Sequence, residues 1–261
     1  MNRLLLFLAA LPLLAHDLYL MPENFTPRAG THLKLVFQNG DEFPVASSPT
    51  KPERLRDTQL LSQSGAVKLE NITAHEKNTT ATVSIPGEGL GILTARTIPN
   101  FIELDPAKFK SYLEHENLTA TLKWREQHKE TNKPGRERYS KYVKSIVKSG
   151  KSDGTYSRRT GLAIEIIPDA DPYSLKPGAT LPVLVLFRGK PAVDVAVESA
   201  WLENGKAKME VYGRTDANGK IRIPIKATGP HRLHAIVMER CAEPKAADWE
   251  SFWASLTFAI Q

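Results

Sequence analysis

Metal chelation is the chemistry that the start of this chain favours, and His16 is the residue that would carry it. A cut after Ala15 makes His16 the N-terminal residue, with a free amine beside its imidazole. These two nitrogens can close a chelate ring around nickel, cobalt or copper. Asp17 follows and adds a carboxylate. We expect a metal site that begins with His16 and Asp17; the alternative is that His16 is only the residue at which trimming stops.

A third ligand has to come from elsewhere in the chain. His231 and His234 lie three residues apart in a predicted strand, so their side chains point to opposite faces and cannot both bind one ion. We take His234 as the nearest candidate for the third ligand. The sequence has no spaced Cys or His motif of the kind that marks a structural metal site. Its single cysteine, Cys241, excludes an internal disulfide.

The cut after Ala15 is predicted because residues 1–15 have the pattern of a secretory signal peptide. A positive start, Met1-Asn2-Arg3, precedes an apolar run from Leu4 to Leu14 and the small residue Ala15. The run is too short to span a bilayer, and no later segment reaches the required length. We expect a periplasmic or secreted protein without a transmembrane segment in the mature chain.

Catalytic motifs are not evident in the sequence. There is no nucleophile elbow, no glycine loop that would cradle a phosphate and no recognisable carboxylate pair. We therefore expect a protein that is not an enzyme. Two alternatives stay open: a structural or interaction module of the cell envelope, and a copper redox protein built on a histidine brace. The brace requires a second histidine beside His16.

The elements that must position these residues are mainly β-strands. We predict an N-terminal β-sandwich-like domain over residues 16–104, a helical segment over 105–150, a linker over 151–160 and a C-terminal β-sandwich over 161–261. Short alternating strands with regular turn signals make this last part typical of an immunoglobulin-like or transthyretin-like sandwich. Val45–Leu60 is predicted as a long loop, and Thr215–Lys220 as a hairpin turn.

Three helices are predicted within residues 105–150. Asp105 and Pro106 are typical of a helix start, and the second helix passes through Leu118, Leu122 and Trp124. The third is predicted from helical spacing, with lysines on the opposite face. Its apolar residues and lysines are Tyr139, Tyr142, Val143, Ile146 and Val147, and Lys141, Lys144 and Lys148.

The net charge of +6 arises mainly between Lys123 and Arg159, where twelve Lys or Arg residues accompany four acids. Since the chain is predicted to be exported, nucleic acid is excluded as a partner. We expect these charges to form a basic face on the helices, in contact with solvent or with an anionic membrane or envelope polymer.

Several separated segments resemble a bacterial periplasmic family, domain of unknown function 4198, often labelled nickel uptake transporter (NikM-like). The resemblance covers essentially the whole mature chain. It implies an exported two-part protein with an immunoglobulin-like C-terminal half, a mature N-terminal histidine and a link to divalent-metal handling, with a metal transport complex or an envelope component as partner. This chain has Val237 before Met238, where relatives carry a histidine. The segments are His16–Pro22, Phe101–Asp105, Gly135–Tyr142, Thr215–Lys220 and Ala247–Phe258.

Overall fold

The computed structural model describes residues 16–40 and 42–261, so the predicted signal peptide lies outside the described residues. The described part contains two α-helices, α1 (Pro106–His115) and α2 (Thr119–Gln127), and is otherwise mainly β, as predicted. Its strands are β1 (Leu18–Pro22), β2 (His32–Asn39), β3 (Leu55–Ser62), β4 (Gly65–Lys68), β5 (Glu70–Ala74), β6 (Thr79–Ser84), β7 (Gly89–Thr97), β8 (Asn100–Leu104), β9 (Gly135–Ser149), β10 (Ile164–Pro168), β11 (Thr180–Phe187), β12 (Lys190–Pro191), β13 (Ala196–Glu203), β14 (Lys206–Arg214), β15 (Lys220–Pro224), β16 (Gly229–Arg240) and β17 (Trp249–Ile260).

One large sheet joins the two halves of the sequence. Its strand order is β14-β13-β16-β17-β9-β7-β3-β4, and β8 also pairs with β9. The last strand, β17, runs parallel to β9 and antiparallel to β16. Two smaller sheets, β1-β2-β6-β5 and β10-β11-β12 with β15 on β11, supply the other strands. The large sheet therefore draws strands from both sides of the 105–160 region that was predicted to separate two β domains.

Apolar side chains on both faces of the large sheet form separate cores. Leu93, Val143 and Val147 pack with residues of the first small sheet. Ile92 and Ile146 pack with residues of the second. Side chains of consecutive strand residues point to opposite faces, so the central strands are apolar in both alternating sets. This explains how one sheet serves two cores.

The third predicted helix is wrong: its residues form the 15-residue strand β9. Val143 and Val147 lie on one face of this strand, and Tyr142 and Ile146 lie on the other. A strand buried on both faces has apolar residues at spacings of three and four, which is also the spacing of an amphipathic helix. The sequence pattern therefore could not distinguish the two structures.

The predicted basic helical face is also wrong, because two of its lysines are buried in the sheet. Lys144 is 2% exposed and lies 3.2 Å from the Glu165 carboxylate, which is 4% exposed. Lys141 is also buried. On α2, the Arg125 guanidinium is buried over the ring of Phe109 and donates to two backbone carbonyls. These cations make internal contacts instead of forming an outer surface.

The two helices that do form pack on the end of β16 and β17. Asp105 caps α1 as predicted, because its carboxylate accepts a hydrogen bond from the Lys108 amide at 2.9 Å. Phe109, Tyr112 and Leu113 bury their side chains against Trp249 and Trp253. Gly135 lies so close to the Phe109 ring that a Cβ there would overlap it. The packing holds the C-terminal end of α1 over β16.

Two local predictions need correction. The segment predicted as a loop over 45–60 includes a 3₁₀ turn at Pro52–Arg54 and most of β3, whose central register is interrupted by a bulge. Thr215–Lys220 does form a turn, with the Gly219 amide donating to the Asp216 carbonyl at 2.9 Å. It is not a hairpin, because β14 pairs with β13 and β15 pairs with β11. The turn passes the chain from one sheet to another.

Candidate functional site

β1 lies against the large sheet, and its packing fixes the position of the residues that immediately precede it. Buried hydroxyl groups on β17 fix the strand: Ser255 donates to the Leu18 carbonyl at 2.8 Å, and Thr257 donates to the Leu20 carbonyl at 2.5 Å. The Tyr19 side chain is fully buried among Phe43 and Ala200. Asp17, immediately before β1, is thereby held over the neighbouring strand β16.

β16 presents two cationic or titratable side chains toward Asp17. Arg232 and His234 are two residues apart in this strand, so they share a face of the sheet. Glu198 lies directly opposite His234 on the neighbouring strand β13. α1 ends above them, and its C-cap residue is Glu116.

These five residues form a buried group that we term the charge cluster: Asp17, Glu116, Glu198, Arg232 and His234. The Arg232 guanidinium lies 2.5 Å from Asp17 Oδ2 and, through its second terminal nitrogen, 2.5 Å from Glu198 Oε1. Asp17 Oδ1 is 3.4 Å from His234 Nδ1. His234 Nε2 is 3.7 Å from Glu116 Oε2. The imidazole therefore lies between two carboxylates, one at each ring nitrogen.

Opposite charges set the protonation of this cluster. Burial alone would raise the pKa of Asp17, but Arg232 and His234 outweigh it and lower that pKa. Burial would lower the pKa of His234, yet Asp17 and Glu116 raise it above its ordinary value. Glu198 keeps a raised pKa because its burial exceeds the effect of its cationic neighbours. The two adjacent carboxylates therefore favour the protonated form of His234.

His16 lies next to the cluster and is fixed by Lys141. The Lys141 ammonium donates to the His16 carbonyl oxygen and, at 3.2 Å, to Asn39 Oδ1. It also lies 5.8 Å from the ring centroid of Trp253. The backbone of His16 is thus held by a side chain from β9, the central strand that the sequence pattern had indicated as a helix.

A second buried polar group lies on the other side of Trp253. The Trp253 indole donates to Ser251 Oγ at 2.8 Å, and the Ser251 hydroxyl donates to Glu137 Oε1. Tyr112 donates to the same carboxylate oxygen at 3.0 Å. Burial raises the pKa of Glu137 to about 7 despite these hydrogen bonds. Trp253 also packs against the His234 ring, at 5.5 Å between centroids.

Of the three predicted ligands, Asp17 and His234 are in contact, and His16 directly precedes Asp17 in the sequence. His231 faces elsewhere: its Nδ1 is 3.0 Å from the Gly229 carbonyl oxygen and its ring stacks on Phe258. Glu116, Glu198 and Arg232 were not predicted as site residues. Within residues 16–40 and 42–261, no group of three or more His, Cys, Asp or Glu side chains has the spacing of a ready metal site.

In the same ranges, no helix is long and apolar enough to cross a membrane. A search among curated proteins finds no match to the chain. A family model does match, over residues 13–239, and its description is "Domain of unknown function (DUF4198)".

Among solved structures, the chain is similar to the D0-D1 domain of intimin, at 14% identity and a TM-score of 0.24, over 93% of this chain and 97% of that one. It is also similar to a DUF4785 family protein from Legionella pneumophila, at 13% identity and a TM-score of 0.25, over 83% and 52% of the two chains. A third similarity is to three N-terminal domains of the bacteriophage RB49 outer capsid protein Hoc, at 14% identity and a TM-score of 0.18, over 93% and 59%.

Proposed function

The chain belongs to the DUF4198 family, and we propose that it is an exported, non-enzymatic protein that binds a divalent metal ion as cargo. Nickel or cobalt is the ion that the family's nickel-uptake label implies, and copper is the alternative. Donors for the ion come from His16, Asp17 and His234. A metal transport complex would then be the partner that receives the ion.

The observation that carries this proposal is the contact between Asp17 and His234. Two donor atoms that each lie about 2.1 Å from a tetrahedral ion are about 3.4 Å apart. Asp17 Oδ1 and His234 Nδ1 are separated by 3.4 Å, on side chains that are 13% and 7% exposed. This oxygen and nitrogen pair fits one edge of a coordination polyhedron. The free amine and imidazole of a processed His16 would supply the further donors.

Glu116 adds the support that a histidine ligand needs. Ligating histidines commonly direct their other ring nitrogen to a carboxylate, which fixes the ring and makes the ligand more basic. Glu116 Oε2 lies 3.7 Å from His234 Nε2, on the side of the ring away from Asp17. In this proposal Glu116 is a positioning residue and does not bind the ion.

The cations beside Asp17 make the proposed binding compete with protons. Arg232 is bound to Asp17 Oδ2, which leaves Oδ1 as the oxygen that faces His234. The raised pKa of His234 favours its protonated form, so an ion at Nδ1 competes with a proton. Affinity should therefore rise with pH until His234 is neutral. Arg232 weakens the site further by placing a positive charge next to its carboxylate ligand.

The test is calorimetric titration of the chain that begins at His16 with Ni²⁺, Co²⁺ and Cu²⁺ in turn. We expect one ion per chain, and at least a tenfold loss of affinity in His16→Ala and in His234→Ala. His75→Ala is the matched control, because His75 is exposed and contacts Thr80 instead of the charge cluster. Equal binding by all four proteins, or no binding by the unaltered one, would overturn the proposal.

A second measurement concerns the amine. One extra residue placed before His16 removes the free amine next to its imidazole and should weaken binding as His16→Ala does. Mass spectrometry of the secreted protein checks that processing exposes His16. A mature chain that starts at another residue would contradict the chelate.

An envelope interaction module is the second candidate function, supported by the edge strand β14. Met209 and Val211 are 50% and 41% exposed, and they share one face of this strand. Exposed apolar side chains at a sheet edge suit contact with another protein. Met209→Lys with Val211→Lys should release the protein from an envelope fraction. Unchanged retention would reject this candidate.

A further inference from the structure

A cavity of about 390 Å³ opens beside β1 and the start of β9. The 3₁₀ turn before β3, the end of β7 and the start of β8 form the rest of its wall. Its functional side chains are Lys51, Arg54, Lys141, Asn39, Asn100 and Tyr139. The volume is within the range of small-molecule sites. Neither the family description nor the metal proposal gives this cavity a role.

Three cations line the cavity, and none of its described lining residues is acidic. Lys51 and Arg54 form no ion pair with any residue in the described part of the chain. Arg54 is nevertheless held in place, because its guanidinium donates to the Ile98 carbonyl at 3.1 Å. Elsewhere in the described part, most arginines on the sheets pair with carboxylates, as Arg136 and Arg138 do. Within the described part of the chain, the charges of Lys51 and Arg54 are therefore not neutralised by an ion pair at the cavity.

Neutral hydrogen-bond donors point to the same ligand chemistry. The Tyr139 hydroxyl accepts a hydrogen bond from Asn100 Nδ2 at 2.7 Å, so its own proton remains for another acceptor. Thr97 Oγ1 accepts a hydrogen bond from the Lys141 amide at 3.0 Å. The hydroxyl proton of Thr97 is therefore also available to another acceptor. A wall of ammonium, guanidinium and hydroxyl donors suits oxygen acceptors that carry negative charge.

We propose that this cavity binds a small oxyanion, either a carboxylate or a phosphate. Arg54 and Lys51 attract and bind the anionic oxygens, and Tyr139 donates to them. Guanidinium and ammonium groups are the usual partners of these anions. Lys141 extends from the cavity wall to the His16 carbonyl oxygen and therefore connects the oxyanion cavity to the first described residues.

The experiment titrates the chain that begins at His16 with citrate and, separately, with inorganic phosphate, in low salt and without metal. Saturable binding of one or both is expected. Lys51→Gln and Arg54→Gln should each lower the affinity at least tenfold. Lys68→Gln, which removes an equal charge from the exposed strand β4, should leave it within twofold. Citrate binding alone assigns the site to carboxylates, and phosphate binding alone assigns it to phosphates.

Nuclear magnetic resonance of the unaltered protein provides a second test, which does not depend on how well a variant folds. In the unaltered protein the bound anion should displace the signals of Asn100 and Tyr139 before those of β4. The absence of saturable binding by either anion, or equal loss in Lys51→Gln, Arg54→Gln and Lys68→Gln, would overturn the proposal. The titrations contain no metal, so this result is independent of the metal proposal.

Discussion

The Lys144–Glu165 pair and the charge cluster are both buried and both combine carboxylates with cations, but their polar atoms are bonded to very different degrees. The Glu165 carboxylate accepts from Lys144, from the Thr160 amide and hydroxyl at 2.8 and 2.6 Å, and from the Gly161 amide at 3.0 Å. In the charge cluster, Arg232 Nε has no hydrogen-bond partner among the described residues. The contacts of His234, at 3.4 and 3.7 Å, are longer than good hydrogen bonds.

This difference indicates that the Lys144–Glu165 pair stabilises the fold, whereas the charge cluster has polar atoms available for a ligand. The Lys144–Glu165 pair, whose carboxylate accepts four hydrogen bonds, links β9 of the central sheet to β10 of the second small sheet. An incompletely bonded imidazole between two carboxylates keeps the capacity to exchange a proton for an ion. Burial with incomplete bonding is unfavourable for stability, and such sites are often functional.

The largest expected effect is on the Lys144–Glu165 pair. Lys144→Met leaves Glu165 buried without its cation and should reduce the free energy of unfolding by about 3–5 kcal/mol. Urea denaturation at pH 7 measures the loss. Lys123→Met, on the exposed surface of α2, should change stability by less than about 0.5 kcal/mol. Similar losses in both variants would remove the distinction between a structural pair and an ordinary surface lysine.

Glu137 is another buried carboxyl, and its described hydrogen bonds come from the hydroxyl groups of Tyr112 and Ser251 instead of from a cation. Its pKa in the folded protein is about 7, above the ordinary value of 4.5. Stability from the neutral carboxyl is therefore fully present below about pH 4.5 and is lost as the pH rises through 7. Glu137→Gln keeps a neutral acceptor and should be more stable than the unaltered protein at pH 8 by up to about 3 kcal/mol.

Urea denaturation at pH 4.5 and pH 8 tests this difference. The two proteins should be nearly equal at the lower pH and diverge at the higher one. If the gap stays constant with pH, Glu137 does not titrate between these values. Ser64→Ala, at an exposed turn, is the control variant and should match the stability of the unaltered protein at both pH values.

A smaller effect is expected at the start of α1. Asp105→Ala removes the helix cap and should reduce stability by about 1 kcal/mol. Because α1 carries Glu116 to the charge cluster, the variant should also lower the pKa of His234, while the signals of Thr160 and Gly161 beside Glu165 stay in place. A pH titration of the His234 imidazole by nuclear magnetic resonance measures the change in its pKa. An unchanged His234 would mean that Glu116 is held independently of the cap.

The smallest expected effect separates the two carboxylates that face His234. Asp17→Asn should lower the pKa of His234 more than Glu116→Gln does, because Asp17 contributes the largest favourable charge. The stability that protonated His234 provides is present below about pH 6.5 and is lost as the pH rises through its higher folded value. Titration of the imidazole signal in both variants checks the order. The reverse order would make Glu116 the main partner.

Much of the fold follows from local sequence patterns, whereas the charge cluster depends on long-range pairing. The mainly β architecture and α1 with its Asp105 cap were both predictable. β9 was not, because burial on both faces produced the spacing of a helix. Arg232 and Glu198 were missed because each looks like an exposed strand residue until the register of β13 and β16 is known. Glu116 was missed since only the packing of α1 brings it to β16.

The position of β17 has a consequence for the order of events in a new chain. This strand lies between β16 and β9 in the middle of the large sheet, yet it follows every other described strand in the sequence. Until β17 pairs with them, β9 and β16 have exposed edges and the two halves of the sheet stay apart. The large sheet therefore cannot close by adding strands in sequence order, because its assembly waits for β17 to insert between two strands that precede it in the chain.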